Sequence, residues 1–328
     1  MKKVEKWKFS GKPPGNQVCK SVSFTRKSPR DADAPRGRRN GFQFLNSDGS
    51  KASINKARTT VEKPLFDLPN HIVSATLLAL MSLTDKLQQL LKPLVPKRFY
   101  WEDALITTHN HSFVDDPMFR NAYDRGLKAS GGKDWNNRWR VYLATWVARM
   151  CAKVEGDFIE CGVNYGFTSS AIMQQLDWDK LGKHFWLIDS FAGIDARQAT
   201  EEEKQQGLIE RSELSKRSGF YNSNAERCRA NFSEWKMAHV IQGWVPECLN
   251  QITSAKVAFL HIDLNALAPE IEALKYFRSK LSRGAFVLLD DYGYSGADLQ
   301  FAGWNKAAKE MNLDILALPT GQGLIHIS

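Results

Sequence analysis

The sequence predicts an α/β fold: a mostly parallel sheet covered by helices, closed by one antiparallel last strand and preceded by a helical N-terminal cap. Three observations carry this expectation. After Gly156, short apolar runs rich in β-formers alternate with helical stretches, which is the rhythm of a parallel sheet. Near the end, runs at 314–319 and 323–327 are separated only by Thr320, Gly321 and Gln322, too few residues for a parallel crossover, so the last strand must pair antiparallel. Before Lys153, apolar residues recur at helical spacing.

The elements follow in order. Residues 1–60 are rich in Lys, Arg, Ser, Gly, Pro and Asn, lack sustained periodicity and include the run PRGRRNG at 35–41, so they read as a basic disordered leader. A helix is expected over 69–94, ended by Pro93 and Pro96, another over 117–128, and a third over 135–153 with Val141, Leu143, Ala144, Trp146, Val147 and Met150 on its apolar face. Residues 61–153 are therefore assigned to a helical cap or lid, and 154–328 to the sheet domain. In that domain we expect strands at 158–160, 184–189, 238–242, 257–263 and 285–290. Helical segments at 166–176, 201–216, 225–232 and 269–281 connect them.

Charge and cysteines narrow the function classes. Residues 1–60 hold 15 Lys and Arg against 4 Asp and Glu, which is +11 of a total of +9, so residues 61–328 carry −2. The basic surplus belongs to the leader alone. A nucleic-acid partner for the folded part is disfavoured, and an RNA or acidic-membrane contact would rest on the leader. No apolar run approaches the roughly 20 residues a membrane-spanning helix needs. Five widely spaced cysteines without a C-x-x-C pair argue for reduced thiols, and no apolar secretory region opens the chain, so a cytoplasmic location is expected. Oligomeric state is not legible, and a homo-oligomer is compatible with the sequence.

The acids carry the chemistry. In an open parallel sheet the ligand crevice lies outside the carboxyl ends of the strands. There Glu160 ends the first strand, Asp189 the second, Asp263 the fourth, and Asp290 with Asp291 the fifth. One such acid is explained by capping a turn. Four strand ends out of five are not, because carboxylates about 4 Å apart repel by roughly 4 kcal/mol at an effective dielectric near 20. Something positive should sit among them. Oxygen donors without nearby Cys point to a hard cation, magnesium or calcium, held by Asp263, Asp290 and Asp291. His261, two residues before Asp263 on the same side of its strand, reads as a satisfied buried histidine rather than a ligand.

The first loop selects the other ligand. Residues 160–170 (ECGVNYGFTSS) follow a strand and open a helix, but contain neither G-x-G-x-x-G nor G-x-x-x-x-G-K-[ST], and Glu160 would repel a pyrophosphate. A cofactor with a sulfonium, an amino-acid tail and no phosphate inverts that argument. S-adenosylmethionine fits, with its tail approaching Gly162 and Gly166. Asp189 takes the usual place of the ribose acceptor, and Gly243 with Trp244 flanks the adenine. Asn164, Ser169 and Ser190 complete the candidate cofactor-binding set with Glu160.

The segments 156–166, 187–193, 259–263 and 288–292 together resemble the macrocin O-methyltransferase (TylF-like) family of class I methyltransferases over about residues 109–328. The resemblance implies a Rossmann-like class I methyltransferase sheet, S-adenosyl-L-methionine as donor, and Mg2+ held at the positions of Asp263, Asp290 and Asp291. Many members carry Asp-x-Asp-Leu-Tyr where this chain has Asp263, Leu264, Asn265, Ala266 and Leu267, which leaves the acceptor open. The leader lies outside the resemblance.

The expected function is metal-assisted methyl transfer to a hydroxyl of a small molecule, a sugar or natural product, with Asp263 as the proton acceptor. His109 and His111, with Asp115 and Asp116, are candidates for a substrate lid, and Tyr292 and Tyr294 for the pocket mouth. Two rivals are a methyltransferase-fold protein that acts on RNA through the leader and a non-catalytic binding protein.

Overall fold

Apolar runs between Gly156 and the C-terminus pair into a single twisted sheet. The computed structural model describes residues 99–294 and 296–328; the basic leader and the helix expected over 69–94 lie outside the described residues. The described chain opens with a hairpin of β1 (Tyr100–Glu102) and β2 (Leu105–Thr107) that the sequence reading did not anticipate. Its two turn residues, Asp103 and Ala104, both have positive φ, the backbone a tight two-residue hairpin turn requires.

Two helices precede the sheet. In α1 (Pro117–Ala129), Asp116 caps the N-terminus by accepting from the Phe119 N–H at 2.9 Å, and Pro117 occupies the first turn, where its missing N–H costs nothing. The other is α2 (Arg138–Cys151), which buries Val141, Ala144, Val147, Ala148 and Cys151.

The sheet domain alternates as expected, with β3 (Asp157–Cys161), α3 (Phe167–Leu176), β4 (Phe185–Asp189), α4 (Glu201–Gln205), α5 (Leu208–Arg217), α6 (Ala225–Phe232), β5 (Ala238–Gln242), β6 (Val257–Ile262), α7 (Leu267–Phe277), β7 (Leu281–Leu289), α8 (Asp298–Glu310), β8 (Leu316–Ala317) and β9 (Gly323–His326). Strand order is β5-β4-β3-β6-β7-β9-β8, with β3 to β7 parallel and β9 antiparallel to both its neighbours. The order reverses between β3 and β6, so the crevice of a doubly wound sheet opens over their carboxyl ends.

Two expected elements are corrected and one is added. The helical stretch over 201–216 is two helices, because Gly207 with φ 77° ends the first turn and starts the next. The helix expected to reach Leu281 stops at Phe277, and Leu281 already pairs with Val257 in β7. Helix α8 was not anticipated, since Asp298 to Glu310 mixes Gly, Asn and Lys with few strong apolar repeats.

Alternation along the strands divides the core. Ile159, Cys161, Ile188, Leu260, Ile262, Val287 and Leu289 face a cluster that includes Phe277 of α7 and Trp304 of α8. Phe158, Phe185, Leu187, Phe259 and Leu288 face the opposite cluster with Ala144 and Val147 of α2, Ile172 and Met173 of α3, and Phe232 of α6. Both faces of the central strands are thus covered, which is why β6 reads VAFLHI with every residue buried. The same alternation sets Glu160 and His261 on the α2–α3 side of the sheet. Among the described residues no helix is long and apolar enough to cross a membrane, and Cys151, Cys161, Cys228 and Cys248 are buried free thiols.

Candidate active site

Strand register gathers the acids. Glu160 pairs with His261 and Cys161 with Ile262 across β3 and β6, while Ile262 pairs with Leu289 across β6 and β7. One step further, the Asp263 N–H donates to the Cys161 carbonyl at 2.8 Å and the Asp290 N–H to the Ile262 carbonyl at 2.9 Å. Asp263, Asp290 and Asp291 therefore offer oxygen atoms within 4.8 Å of one another at adjacent strand ends.

The expected positive charge is present, and part of it comes from the protein itself. Arg140 of α2 donates from Nε to Asp103 at 2.6 Å and from Nη1 to the Asp290 carboxylate at 2.5 Å and the Asp290 carbonyl at 3.1 Å; Asp291 lies 3.9 Å from the same nitrogen. Its guanidinium lies over the ring of Tyr294, 4.9 Å from the centroid. Asp103, on the unanticipated hairpin turn, is thereby tied to the sheet.

His261 is the second cation. Its Nδ1 meets Glu160 Oε1 at 2.8 Å and its Nε2 lies 3.5 Å from Asp290 Oδ1. Burial alone would drive its pKa down, but Asp290 and Glu160 outweigh burial and raise it to about 10, so it is imidazolium at neutral pH. The histidine is buried as expected, but only its Nδ1 is hydrogen-bonded; Nε2 finds no partner in hydrogen-bond geometry.

Five carboxylates, those of Asp103, Glu160, Asp263, Asp290 and Asp291, thus share one guanidinium and one imidazolium. The imbalance shows in their ionisation. Burial raises Asp290, but Arg140 and His261 bring it below the ordinary range. Burial, then Asp290 and Asp291, push Asp263 well above it, and burial with Asp290 lifts Asp291 to about 6. A donor set of clustered carboxylate oxygens whose excess negative charge is unmatched fits a hard divalent cation.

The first loop is shaped by close approach. At Gly162, with φ 99°, an added Cβ would lie 1.7 Å from the Asp263 carbonyl oxygen, so glycine lets β3 and β6 end side by side. Gly166, at φ 81°, would place a Cβ 2.4 Å from the Phe232 ring. Asp189 joins the two loops, accepting from the Asn164 N–H and the Phe191 N–H, each at 2.7 Å. Gly243 donates its N–H to the Asp189 carbonyl at 2.9 Å, which brings Gly243 and half-buried Trp244 beside the same crevice.

Several predicted cofactor residues have protein partners. Ser169 donates to Glu160 Oε2, so this buried pair fixes the start of α3 against β3. The Asn164 side chain donates to the Phe220 carbonyl at 3.2 Å and accepts from the Asn222 N–H at 2.7 Å. Ser190 donates to the Gly193 carbonyl at 3.0 Å. Asn265 donates to Asp263 Oδ1 at 3.0 Å and so orients that carboxylate.

Tyr292 and Tyr294 line a cavity of about 300 Å3 together with Phe301, Leu318, Gly321 and Gln322. Gln322 connects it to the acidic rim, donating to Asp290 Oδ1 at 2.7 Å. His111 instead packs on Tyr100 and meets the His109 carbonyl at 2.9 Å; no described contact joins either histidine to the rim. Sequence reasoning missed Arg140, which reads as one more basic residue on a helix.

A family model described as Macrocin-O-methyltransferase (TylF) matches residues 140–318. The chain is 26% identical over 144 residues to 8-demethyl-8-(2,3-dimethoxy-alpha-L-rhamnosyl)-tetracenomycin-C 4'-O-methyltransferase of Streptomyces olivaceus, covering 42% of this chain and 54% of that protein. It thus spans about half the length of this curated relative. Among solved structures, the O-methyltransferase NovP aligns with a TM-score of 0.53 at 17% identity, over 67% of this chain and 100% of that one. The calicheamicin methyltransferase CalS11 aligns at 0.42 with 15% identity, over 65% and 93%. The NovP likeness agrees with a Rossmann-like methyltransferase fold. Because the family match covers more than half of the 328 residues and runs from Arg140, the guanidinium of the acidic rim, through the edge strand, this chain belongs to the macrocin-O-methyltransferase (TylF) family.

Proposed function

We propose that the protein is an S-adenosylmethionine-dependent O-methyltransferase that acts on a hydroxyl of a sugar or other small natural product with a magnesium ion at Asp263, Asp290 and Asp291. The observation that carries this reading is the convergence of those three carboxylates, within 4.8 Å of one another, beside a glycine loop that admits no side chain at Gly162. When bound, the cofactor supplies an electrophilic methyl group and the magnesium ion a positive charge that eases loss of an acceptor proton.

The chain's own residues do the rest. Asp189 and the loop from Gly162 to Gly166 hold the donor, with Gly243 and Trp244 at the adenine. Asp263, oriented by Asn265, takes the proton from the acceptor hydroxyl. Arg140 and His261 hold Asp290 ionised and in place. The acceptor body rests in the cavity bounded by Tyr292, Tyr294 and Phe301.

Calorimetry with S-adenosylmethionine, followed by S-adenosylhomocysteine release with a panel of hydroxylated glycosides, tests the reading. Asp263→Ala and Asp290→Ala should abolish turnover and leave cofactor binding largely intact. Unchanged turnover in either would refute the metal role.

A further inference from the structure

Strand register brings the last hairpin to the acidic rim. Gly323 of β9 pairs with Leu289 of β7 in antiparallel sense, so Gln322, one residue back, comes level with Asp290, one residue on. The turn before it is pinned on both sides. The Gly321 carbonyl accepts from the Gly293 N–H at 2.6 Å, and the Leu318 N–H donates to the Gln322 carbonyl at 2.9 Å. At Gly321, with φ 82°, an added Cβ would stand 3.0 Å from the Tyr294 Cα. The turn is thus packed against Gly293 and Tyr294, which line the same cavity as Gln322.

Gln322 is 1% exposed, and both ends of its amide are used. Nε2 donates to Asp290 Oδ1 at 2.7 Å, and Oε1 accepts from the buried Thr320 hydroxyl at 3.0 Å. A carboxylate ion only accepts, so the amide must show Asp290 its nitrogen; turned round, it would set oxygen against oxygen. The Thr320 hydroxyl fixes that choice. Arg140 Nη1 holds Asp290 Oδ2 at 2.5 Å, so each oxygen of this carboxylate is gripped by a different element, the β8–β9 turn and α2.

We propose that Gln322 is a positioning residue that aims the Asp290 carboxylate at the divalent cation from the wall of the acceptor cavity, with Thr320 fixing its amide. This rests on the cation reading above. Outer hydrogen-bond partners of a metal-ligating carboxylate hold its orientation, and their loss lowers metal affinity about ten- to a hundred-fold. The turn that shapes the acceptor wall is therefore also the turn that sets a cation ligand.

Titration of the full chain with Mn2+, the free ion read by electron paramagnetic resonance, tests this. Gln322→Met keeps the volume and removes the donor. It should weaken Mn2+ about ten-fold or more and leave S-adenosylhomocysteine affinity within about two-fold, because Asp189 and the first loop are untouched. Thr320→Val keeps the shape but lets the Gln322 amide turn, and should weaken Mn2+ about two- to ten-fold. This second variant decides the matter if Gln322→Met does not fold. A purely structural Gln322 would lower Tm and leave Mn2+ affinity at the wild-type value in the folded variants. That result, tighter Mn2+ binding, or an equal loss of both ligands overturns the proposal. If the unsubstituted chain takes up no Mn2+, the cation reading falls and this assignment with it; if it binds Mn2+, only the role of Gln322 is at stake.

Discussion

Replacing Arg140 by Met tests whether the guanidinium stabilises the acidic rim. The side chain is about nine-tenths buried and binds two carboxylates, each about 17% exposed. Removing one partner of a buried ion pair costs about 3–5 kcal/mol because a charge is left without compensation. Asp290 keeps Gln322 and the His261 imidazolium, so most of the cost falls on Asp103, which burial already raises and Arg140 lowers. The lower end, about 3 kcal/mol, is the expectation. For a folded part of this size that is a fall in Tm of about 6–12 °C. Denaturant unfolding of wild type, Arg140→Met and Arg140→Lys measures it. The Lys variant should recover about half, because a point charge cannot fork between Asp103 and Asp290. If Arg140→Met unfolds within about 1 kcal/mol of wild type, the rim is not held by this guanidinium and the charge argument fails.

Two further outcomes follow from particular contacts. Burial, reinforced by Asp291, lifts Glu270 to about 8, while its carboxylate accepts from Trp304 at 2.9 Å. The folded state therefore keeps a proton that an unfolded chain releases near pH 4.3, so this contribution to stability is present below about pH 4 and is lost as pH rises towards 8. Urea unfolding across that range should show wild type losing ground to Glu270→Gln, and parallel pH profiles would mean that Glu270 is already ionised. Gly162→Ala should cost about 3 kcal/mol or more, from the positive φ and the clash with the Asp263 carbonyl, and should yield little folded protein. Recovery of a normally stable variant would show that the ends of β3 and β6 can separate.

What was legible in the sequence was what local pattern encodes. Apolar runs such as residues 257–262 announce buried strands, and the acids at the ends of four of the five runs are visible because strand ends are visible. The short link at 320–322 dictated an antiparallel last strand, and the structure has it. The partners of those acids were not legible. Arg140 meets Asp290 across 150 positions, and nothing in its helix distinguishes it from Arg138 or Arg149. Ser169 and Asn164 were read as cofactor contacts from their place in the loop, yet their hydrogen bonds run to Glu160, Phe220 and Asn222, since a side chain beside a glycine turn serves the fold as readily as a ligand. The hairpin at Asp103 escaped because three-residue strands are too short to show alternation.

The placement of Arg140 ahead of the first parallel strand bears on how this protein can be recombined. A chimaera that borrows the fold from Gly156 onward would inherit Glu160, Asp263, Asp290 and Asp291 and forfeit both Asp103 and the guanidinium seated against them. The smallest transplantable unit reaches back to the turn at Asp103, and grafts that respect that seam should keep their solubility where shorter ones precipitate.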